Sequence, residues 1–330
     1  MRLEVKLKGL ALILALITAP IFVSAQSMEE AQKAYNAGVT AKTDGNIQEA
    51  ITQFTTCVET CEILVEEEEE GAEDLMYTVQ AVIPGLYLKL GADQIQNKQV
   101  SEGLENLYKG REVADMYGDS DSKEKAEKYI AKVHYKLGAS KYKSGDYAAA
   151  HAELDKCLEV KPDYVGAYYL KTVVYKKEGN DEGLKASATK GIEVAKAKND
   201  TKNANKIANL AHGHFLKKGN EAKSASNLDE AVTYLNTALE FDATDATTLY
   251  LLSATYLAKG DNDNAITTGE TAVLNEGGGE EAQAKIYMII AEAQTNKGDT
   301  SSACATYKKA AVGQYAELAN YKIEHELKCE

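Results

Sequence analysis

The chain has 330 residues, of which 44% are hydrophobic, enough for one long repeat array or for two average domains with packed cores. Its formal net charge of −14 repels phosphate groups, so neither nucleic acid nor an anionic membrane surface is expected as a partner. Only three prolines, no tryptophan and abundant alanine favour long helices.

The first 25 residues show the three parts of a secretory signal peptide. A basic start precedes an apolar run, Leu10 to Ile17, and Val23-Ser24-Ala25 supplies the small residues of a cleavage site. The alternative is an N-terminal membrane anchor, but the run is shorter than the ~20 residues that span a bilayer. We expect residues 1–25 to be removed and residues 26–330 to be exported, either periplasmic or secreted, with no membrane insertion after cleavage.

A helical pattern recurs along the mature chain, and its clearest copy is KLGASKYKSGDYAAAHAELDKCLEVKPD, residues 136–163. Two amphipathic stretches flank a turn at Gly145-Asp146. The small residues Gly138 and Ala150 allow two helices to approach closely, and Pro162 ends the second helix. This segment resembles the tetratricopeptide repeat, a helix–turn–helix unit of 34 residues.

The spacing of the turns supports the resemblance. Turn residues are predicted at Gly45, Lys98, Gly145, Gly179, Ser226, Gly260 and Gly298. Two of the six steps between them are 34 residues, and the others are longer by 4 to 19 residues. Most of the extra residues fall in an acidic stretch around 66–74 and in residues 116–128 and 195–206. Each insertion is expected to lengthen a helix or a loop, and the run of glutamates at 66–70 to be a solvated, partly disordered segment.

The resemblance implies an all-α fold, a right-handed α-solenoid of about seven tetratricopeptide-like helix pairs with a C-terminal capping helix. The predicted units lie near residues 31–64, 84–117, 131–164, 165–197, 212–245, 246–279 and 284–317, with the cap at 314–328. The tryptophan of the family is absent and only one copy has the closing proline, which allows irregular superhelix geometry.

In this family, the first helices of the pairs line a concave face on which extended peptides or partner helices bind. By helical phase, the residues expected on that face are Tyr35, Lys132, Tyr135, Tyr142, Tyr169, Lys176 and Tyr250, with Met288 towards the end. Tyrosine offers a large apolar area with a polar tip, and the two lysines would place positive charge in a negative molecule. The alternative is that these tyrosines only pack between helices.

The five cysteines leave at least one thiol unpaired within the monomer. Cys57 and Cys157 occupy positions where other copies have alanine, so they are interpreted as small buried residues. A disulfide between Cys304 and Cys329 would tie down the C-terminus, although the register of the two regions stays open. A disulfide between Cys57 and Cys61, one helical turn apart, is disfavoured.

No pattern in the sequence predicts a catalytic, cofactor-binding or metal-ligating residue. His212 and His214 are two apart and therefore point to different sides of a helix, and no phosphate-binding loop is present. We expect a non-enzymatic scaffold of the cell envelope that binds a peptide or a partner helix. The alternatives are a carbohydrate-binding component of an outer-membrane uptake system and a hydrolase with a composite site. The oligomeric state stays open.

Overall fold

The computed structural model describes residues 27–329, so the predicted signal peptide at 1–25 lies outside the described residues. Within 27–329 the regular structure is helical throughout, which confirms the predicted all-α fold of stacked helix pairs. The helices cluster in two compact units, Met1–Glu127 and Lys128–Glu330, called unit 1 and unit 2 below.

Unit 1 contains two antiparallel helix pairs, α1 with α2 and α4 with α5, and an additional short helix, α3. The bounds are α1 Met28–Thr43, α2 Ile47–Glu66, α3 Ala72–Gln80, α4 Ile83–Gln96 and α5 Val100–Met116. The first turns of α6, Ser120–Lys143, complete the unit. Phe54, Leu64 and Ile83 are buried in its core, with Cys57 and Cys61 between them.

Unit 2 continues the alternation of first and second helices. The remainder of α6 pairs with α7, α8 with α9, α10 with α11, α12 with α13, and α14 with α15. The bounds are α7 Tyr147–Val160, α8 Val165–Glu178, α9 Asp181–Ala197, α10 Thr201–Ser224, α11 Leu228–Phe241, α12 Ala246–Lys259, α13 Asn262–Asn275, α14 Gly279–Asn296, α15 Thr300–Ala310 and α16 Ala316–Tyr321.

The turn inside each pair explains why the helices end where they do. All seven predicted turn residues have left-handed backbone, with φ between 63° and 83°. Five of them are glycine, which adopts this conformation without a side-chain clash, and the other two are Lys98 and Ser226. An Asn or Asp often follows and accepts a hydrogen bond from the backbone two or three residues on, as Asn46 and Asp146 do.

Small residues set the close approach within a pair. A Cβ added to Gly38 would lie 2.7 Å from the ring of Phe54, and one added to Gly138 would lie 2.9 Å from Leu154. Because these gaps are too short for another carbon, the buried ring or leucine of the second helix lies directly over the glycine of the first.

The three main insertions have different outcomes. Two lengthen first helices, because α6 and α10 are each 24 residues long. The acidic insertion forms an exposed turn after Glu66, with Glu68 at φ 60°, so its glutamates are solvated as expected. The helix α3 that follows this turn was not predicted. Ala72 and Val79 anchor α3 because both are fully buried.

The C-terminal segment covers the end of the last pair. It consists of a 3-10 turn (Gly313–Tyr315), α16 and a π-helical turn (Lys322–Glu326). Ile323 and Leu327 pack against a cluster that includes the fully buried Tyr307. Cys304 and Cys329 are joined in a disulfide with Cα atoms 5.8 Å apart. Among the residues described, Cys57, Cys61 and Cys157 are free and buried thiols.

A candidate interaction face on the first helices

The same position of successive first helices forms a row of large side chains in unit 2. Ten residues before its left-handed turn residue, each of the five first helices has Tyr or a large apolar residue: Tyr135, Tyr169, Leu216, Tyr250 and Met288. All five side chains are half-buried. We call these positions, and those beside them on the same helix side, the first-helix face.

Positions three and thirteen residues before the turn lie on the same side of an α-helix as position ten. Lys132 and Lys285 occupy position thirteen of α6 and α14. Position three is occupied by Tyr142 in α6, Lys176 in α8 and Lys223 in α10. On α6, α8, α10 and α14 a lysine therefore lies on the same helix side as the Tyr, Leu or Met of the row.

Two tyrosines of the face pack against other aromatic rings. The ring centroid of Tyr135 lies 5.4 Å from that of Tyr164, and the centroid of Tyr142 lies 6.1 Å from that of Tyr147. Burial, and then the neighbouring Tyr315, raise the pKa of Tyr250. Each tyrosine of the face packs against a buried cluster on one side and keeps part of its surface open, so packing between helices is observed and binding stays a prediction.

Lysines from neighbouring first helices lie over two of these rings. Nζ of Lys206 on α10 is 4.0 Å from the ring centroid of Tyr169 on α8. Nζ of Lys285 on α14 is 5.2 Å from the ring centroid of Tyr250 on α12 and 3.7 Å from the carboxylate of Glu276. Such ammonium–ring contacts hold the rings in place and add positive charge to the same surface.

Six of the seven residues predicted for the face share it in unit 2: Lys132, Tyr135, Tyr142, Tyr169, Lys176 and Tyr250. Their role in binding stays a prediction. Sequence reasoning missed Leu216, Lys206 and Lys223 and gave Lys285 no role. The fixed distance from each predicted turn would have found Leu216, Lys223 and Lys285, whereas the contact of Lys206 with a ring required the packing of two helices.

Tyr35, the seventh residue, belongs to unit 1 and lies in a different setting. It stands ten residues before Gly45 and lines a cleft of ≈ 280 Å³. The floor includes the buried ring of Phe54, whose centroid is 6.1 Å from that of Tyr35. Thr78 of α3 also lines this cleft, so the inserted helix forms part of its wall.

Four histidines of unit 2 contact carboxylates that lie outside their own helix and so link neighbouring parts of the unit. Nδ1 of His134 lies 2.7 Å from Glu153, Nε2 of His151 lies 2.9 Å from Glu178, and Nε2 of His214 lies 2.7 Å from Asp181. His212 reaches Thr248 at 3.0 Å and Asp245 at 3.5 Å. Between residues 27 and 329 no group of His, Cys, Asp and Glu has the arrangement of a metal site.

Asp181 is the most connected of these carboxylates. It accepts hydrogen bonds from Lys218, from His214 and, at 3.0 Å, from the Tyr234 hydroxyl. Burial raises the pKa of Asp181, but the three donors together outweigh it and hold the pKa below its usual range. The cluster joins α9, α10 and α11.

Comparison with known families identifies the repeat. The family model described as tetratricopeptide repeat matches residues 131–164, which include most of α6 and all of α7. This helix pair is a tetratricopeptide repeat. This confirms the resemblance predicted from the sequence, and the seven left-handed turns show that the matched helix pair recurs along the chain.

Solved structures similar to this chain share little sequence with it. MamA is 19% identical, with 60% of this chain and 96% of that chain covered and a TM-score of 0.32. A tetratricopeptide repeat protein from Parabacteroides merdae is 12% identical, with 92% and 100% covered and a TM-score of 0.29. The P58(IPK) TPR domain is 12% identical, with 90% and 98% covered and a TM-score of 0.31.

A search of curated proteins found no significant match to the chain. The assignment therefore depends on the family match and on the helix pairs themselves. Across the described part of the chain, no helix has the length and apolar character needed to cross a membrane.

Proposed function

We propose that this protein is a non-enzymatic recognition module of the cell envelope, and that unit 2 binds a peptide or helix of a partner protein on its first-helix face. The observation that carries the proposal is the row of half-buried Tyr, Leu and Met side chains at one position of five consecutive first helices. A row of this kind offers regularly spaced apolar contacts to an elongated ligand.

The row suits recognition for two physical reasons. Tyrosine provides a large contact area and loses little side-chain entropy on binding, so it is common among residues that dominate binding energy. The rings are already fixed by Tyr164, Tyr147 and the lysines above them, which reduces the cost of ordering the face when a ligand binds.

Two features support export to the envelope or beyond. The first 25 residues have the composition of a signal peptide. The disulfide between Cys304 and Cys329 is the kind of bond that persists in oxidising compartments. Expression with a C-terminal tag in a bacterial host tests this part. N-terminal sequencing of the mature protein should begin near Gln26, and a cytoplasmic protein that retains Met1 would contradict it.

Binding is tested by selecting peptides from a random display library against residues 26–330 and measuring their affinity by fluorescence anisotropy. Replacing Tyr135 and Tyr169 by alanine should weaken binding of the selected peptides by at least about tenfold, because each ring loses a large buried contact.

The matched control replaces two exposed tyrosines away from the face, Tyr77 and Tyr321, which are 55% and 52% exposed. This variant loses the same number of rings and should bind as the wild type does. Circular dichroism and thermal unfolding check that both variants remain folded. If no peptide is selected, or if the two double variants lose equal affinity, the proposed face is wrong.

A further inference from the structure

The charges of unit 2 are divided between its two kinds of helix. From Lys128 onward, the first helices carry fifteen lysines and five acidic residues, whereas the second helices carry six lysines and eleven acidic residues. The first-helix side is therefore strongly basic in a chain whose net charge is −14. The first helices therefore carry more positive charge than an even distribution of the charged residues along the chain would give them.

The acidic residues of the first helices are largely engaged. Glu178 pairs with His151, Glu221 with Lys217 at 3.6 Å, and Glu292 accepts from the hydroxyl of Tyr307 at 2.7 Å. Only Glu280 and Glu281, at the start of α14, have no such partner among the described residues.

Four lysines on or beside the first-helix face make no ion pair within residues 27–329: Lys132, Lys176, Lys206 and Lys223. Three of them are exposed and Lys223 is half-buried. Their positive charge is therefore uncompensated by the protein itself. An uncompensated cluster beside a row of apolar side chains favours a ligand that supplies both carboxylates and apolar groups.

We propose, on the basis of the proposed function, that the segment bound on this face is an extended acidic peptide in which Asp or Glu residues are interleaved with apolar side chains. Its apolar groups would pack against Tyr135, Tyr169 and Tyr250 while its carboxylates meet the unpaired lysines. The ligand is a segment of a partner protein, since the observations call for alternate apolar and anionic groups.

The geometry also sets its length. Packed helices lie about 8–10 Å apart, so five adjacent first helices extend over roughly 40 Å, the reach of about 12–14 extended residues at 3.3 Å each. A short segment of this length lies within the basic face. A long polyanion would extend beyond it and meet the acidic remainder of the surface within a screening length of about 8 Å.

The test uses three fluorescein-labelled peptides of 14 residues that share the same apolar residues. Glu and Asp fill the other positions in the first peptide, Gln and Asn in the second, and Lys and Arg in the third. The acidic peptide should bind the mature protein at least about tenfold more tightly than the neutral one at low salt, and the difference should shrink as salt screens the charges.

Two lysine variants with equal net charge provide the comparison. One replaces the four unpaired lysines of the face by glutamine, and the other replaces lysines of the second helices, Lys185, Lys190, Lys196 and Lys308. The face variant should lose at least about tenfold in affinity for the acidic peptide and little for the neutral peptide, whereas the control should change neither much.

The outcomes separate this inference from the proposed function. Equal affinity of the acidic and neutral peptides, with the Tyr135→Ala plus Tyr169→Ala variant still weakened, would overturn the acidic partner and keep the peptide-binding face. If no peptide of any charge binds and library selection also yields none, both fail. Tighter binding of a single-stranded oligonucleotide or of anionic vesicles than of the acidic peptide would also overturn the inference.

Discussion

The first helices of the two units pair with their second helices in the same way, but the charges that they carry differ. In unit 1, α1 and α4 together carry three lysines and three acidic residues, whereas the first helices of unit 2 carry fifteen and five. In unit 1, the position ten residues before the turn holds Tyr35 and Leu88. Tyr35 lies in a narrow cleft that Thr78 of α3 helps to close.

This contrast shows that the repeat specifies only a scaffold. Buried small residues and left-handed turns set the pairing of helices in both units, and these features recur with little change. The residues that remain partly open can differ without affecting the pair. Function is therefore to be sought at the variable open positions of the first helices rather than in the repeat signature.

The largest expected effect comes from removing the ring beneath the unit 1 cleft. Phe54→Ala empties a fully packed site and should lower the free energy of unfolding by about 3–5 kcal/mol. Because neighbouring contacts dominate the stability of repeat arrays, peptide binding to unit 2 should persist. Urea unfolding and anisotropy measure the two quantities.

The matched variant is Leu154→Ala. Leu154 is a large buried residue like Phe54, but it belongs to the cluster in unit 2 against which Tyr135 packs. This variant should lower both stability and affinity. If Phe54→Ala weakens peptide binding as much as Leu154→Ala does, the contrast between the two faces is wrong.

The cysteines provide the next comparison, since unit 2 has a disulfide near its end and unit 1 has two buried thiols. Replacing Cys304 and Cys329 by serine removes a cross-link between residues that are 25 positions apart. The free energy of unfolding of unit 2 should fall by about 3 kcal/mol. A thiol reagent should label no cysteine in the native protein and three after unfolding without reductant. Labelling of five in unfolded, unreduced protein would contradict the disulfide.

Turn positions were predictable from the sequence because the backbone itself demands them. A left-handed residue followed by Asn or Asp is encoded locally, and the turns predicted at Ser226 and Lys98 also have left-handed backbone. The helix α3 was not predictable, because a short acidic segment has weak helical tendency alone. Burial of Ala72 and Val79 against unit 1 decides its structure.

The candidate face was predictable only in part. The tyrosines were found by helical phase, but Leu216 resembles an ordinary core residue until its distance from the turn is compared with the others. His134 is 4% exposed and contacts Glu153, 19 residues away, and such a tertiary contact has no local signature in the sequence.

Two equivalent glycines give a smaller, sharper comparison. A Cβ on Gly91 in unit 1 would lie 2.7 Å from the carbonyl oxygen of Gly103, whereas a Cβ on Gly138 in unit 2 meets chiefly the side chain of Leu154. The backbone at Gly103 can shift less than the side chain of Leu154 can. Gly91→Ala should therefore lower the free energy of unfolding by about 2 kcal/mol. Gly138→Ala should lower the free energy of unfolding by less than Gly91→Ala does, because a side chain can shift and alanine also favours the helix. Equal losses of unfolding free energy would contradict this explanation.

The pH dependence should also differ between the units. The pKa of Asp181 lies below its usual range in the folded protein, so the folded state favours the charged carboxylate. This contribution is complete above the unfolded pKa of about 3.9 and is lost as the pH falls through the lower folded pKa. At pH 7, Asp181→Asn should cost about 1–2 kcal/mol by weakening charged hydrogen bonds. The loss should shrink as the pH falls through the folded pKa, and a loss independent of pH would contradict the ionic origin.

Substitution of Glu62 in unit 1 should give the smallest change in the free energy of unfolding, and this change should have the opposite sign. Partial burial, and then the charges of Glu59 and Glu66, raise the pKa of its carboxyl. The folded state therefore favours the protonated form. This stabilisation is complete below the unfolded pKa and is lost as the pH rises through the folded pKa. Because the side chain is exposed, Glu62→Gln should raise the free energy of unfolding at pH 7 by less than about 0.5 kcal/mol. Paired urea titrations at pH 4 and pH 7 measure this gain, which should be absent at pH 4. A destabilised Glu62→Gln variant at pH 7 would show that the carboxylate has a partner in unit 1, as Asp181 has in unit 2.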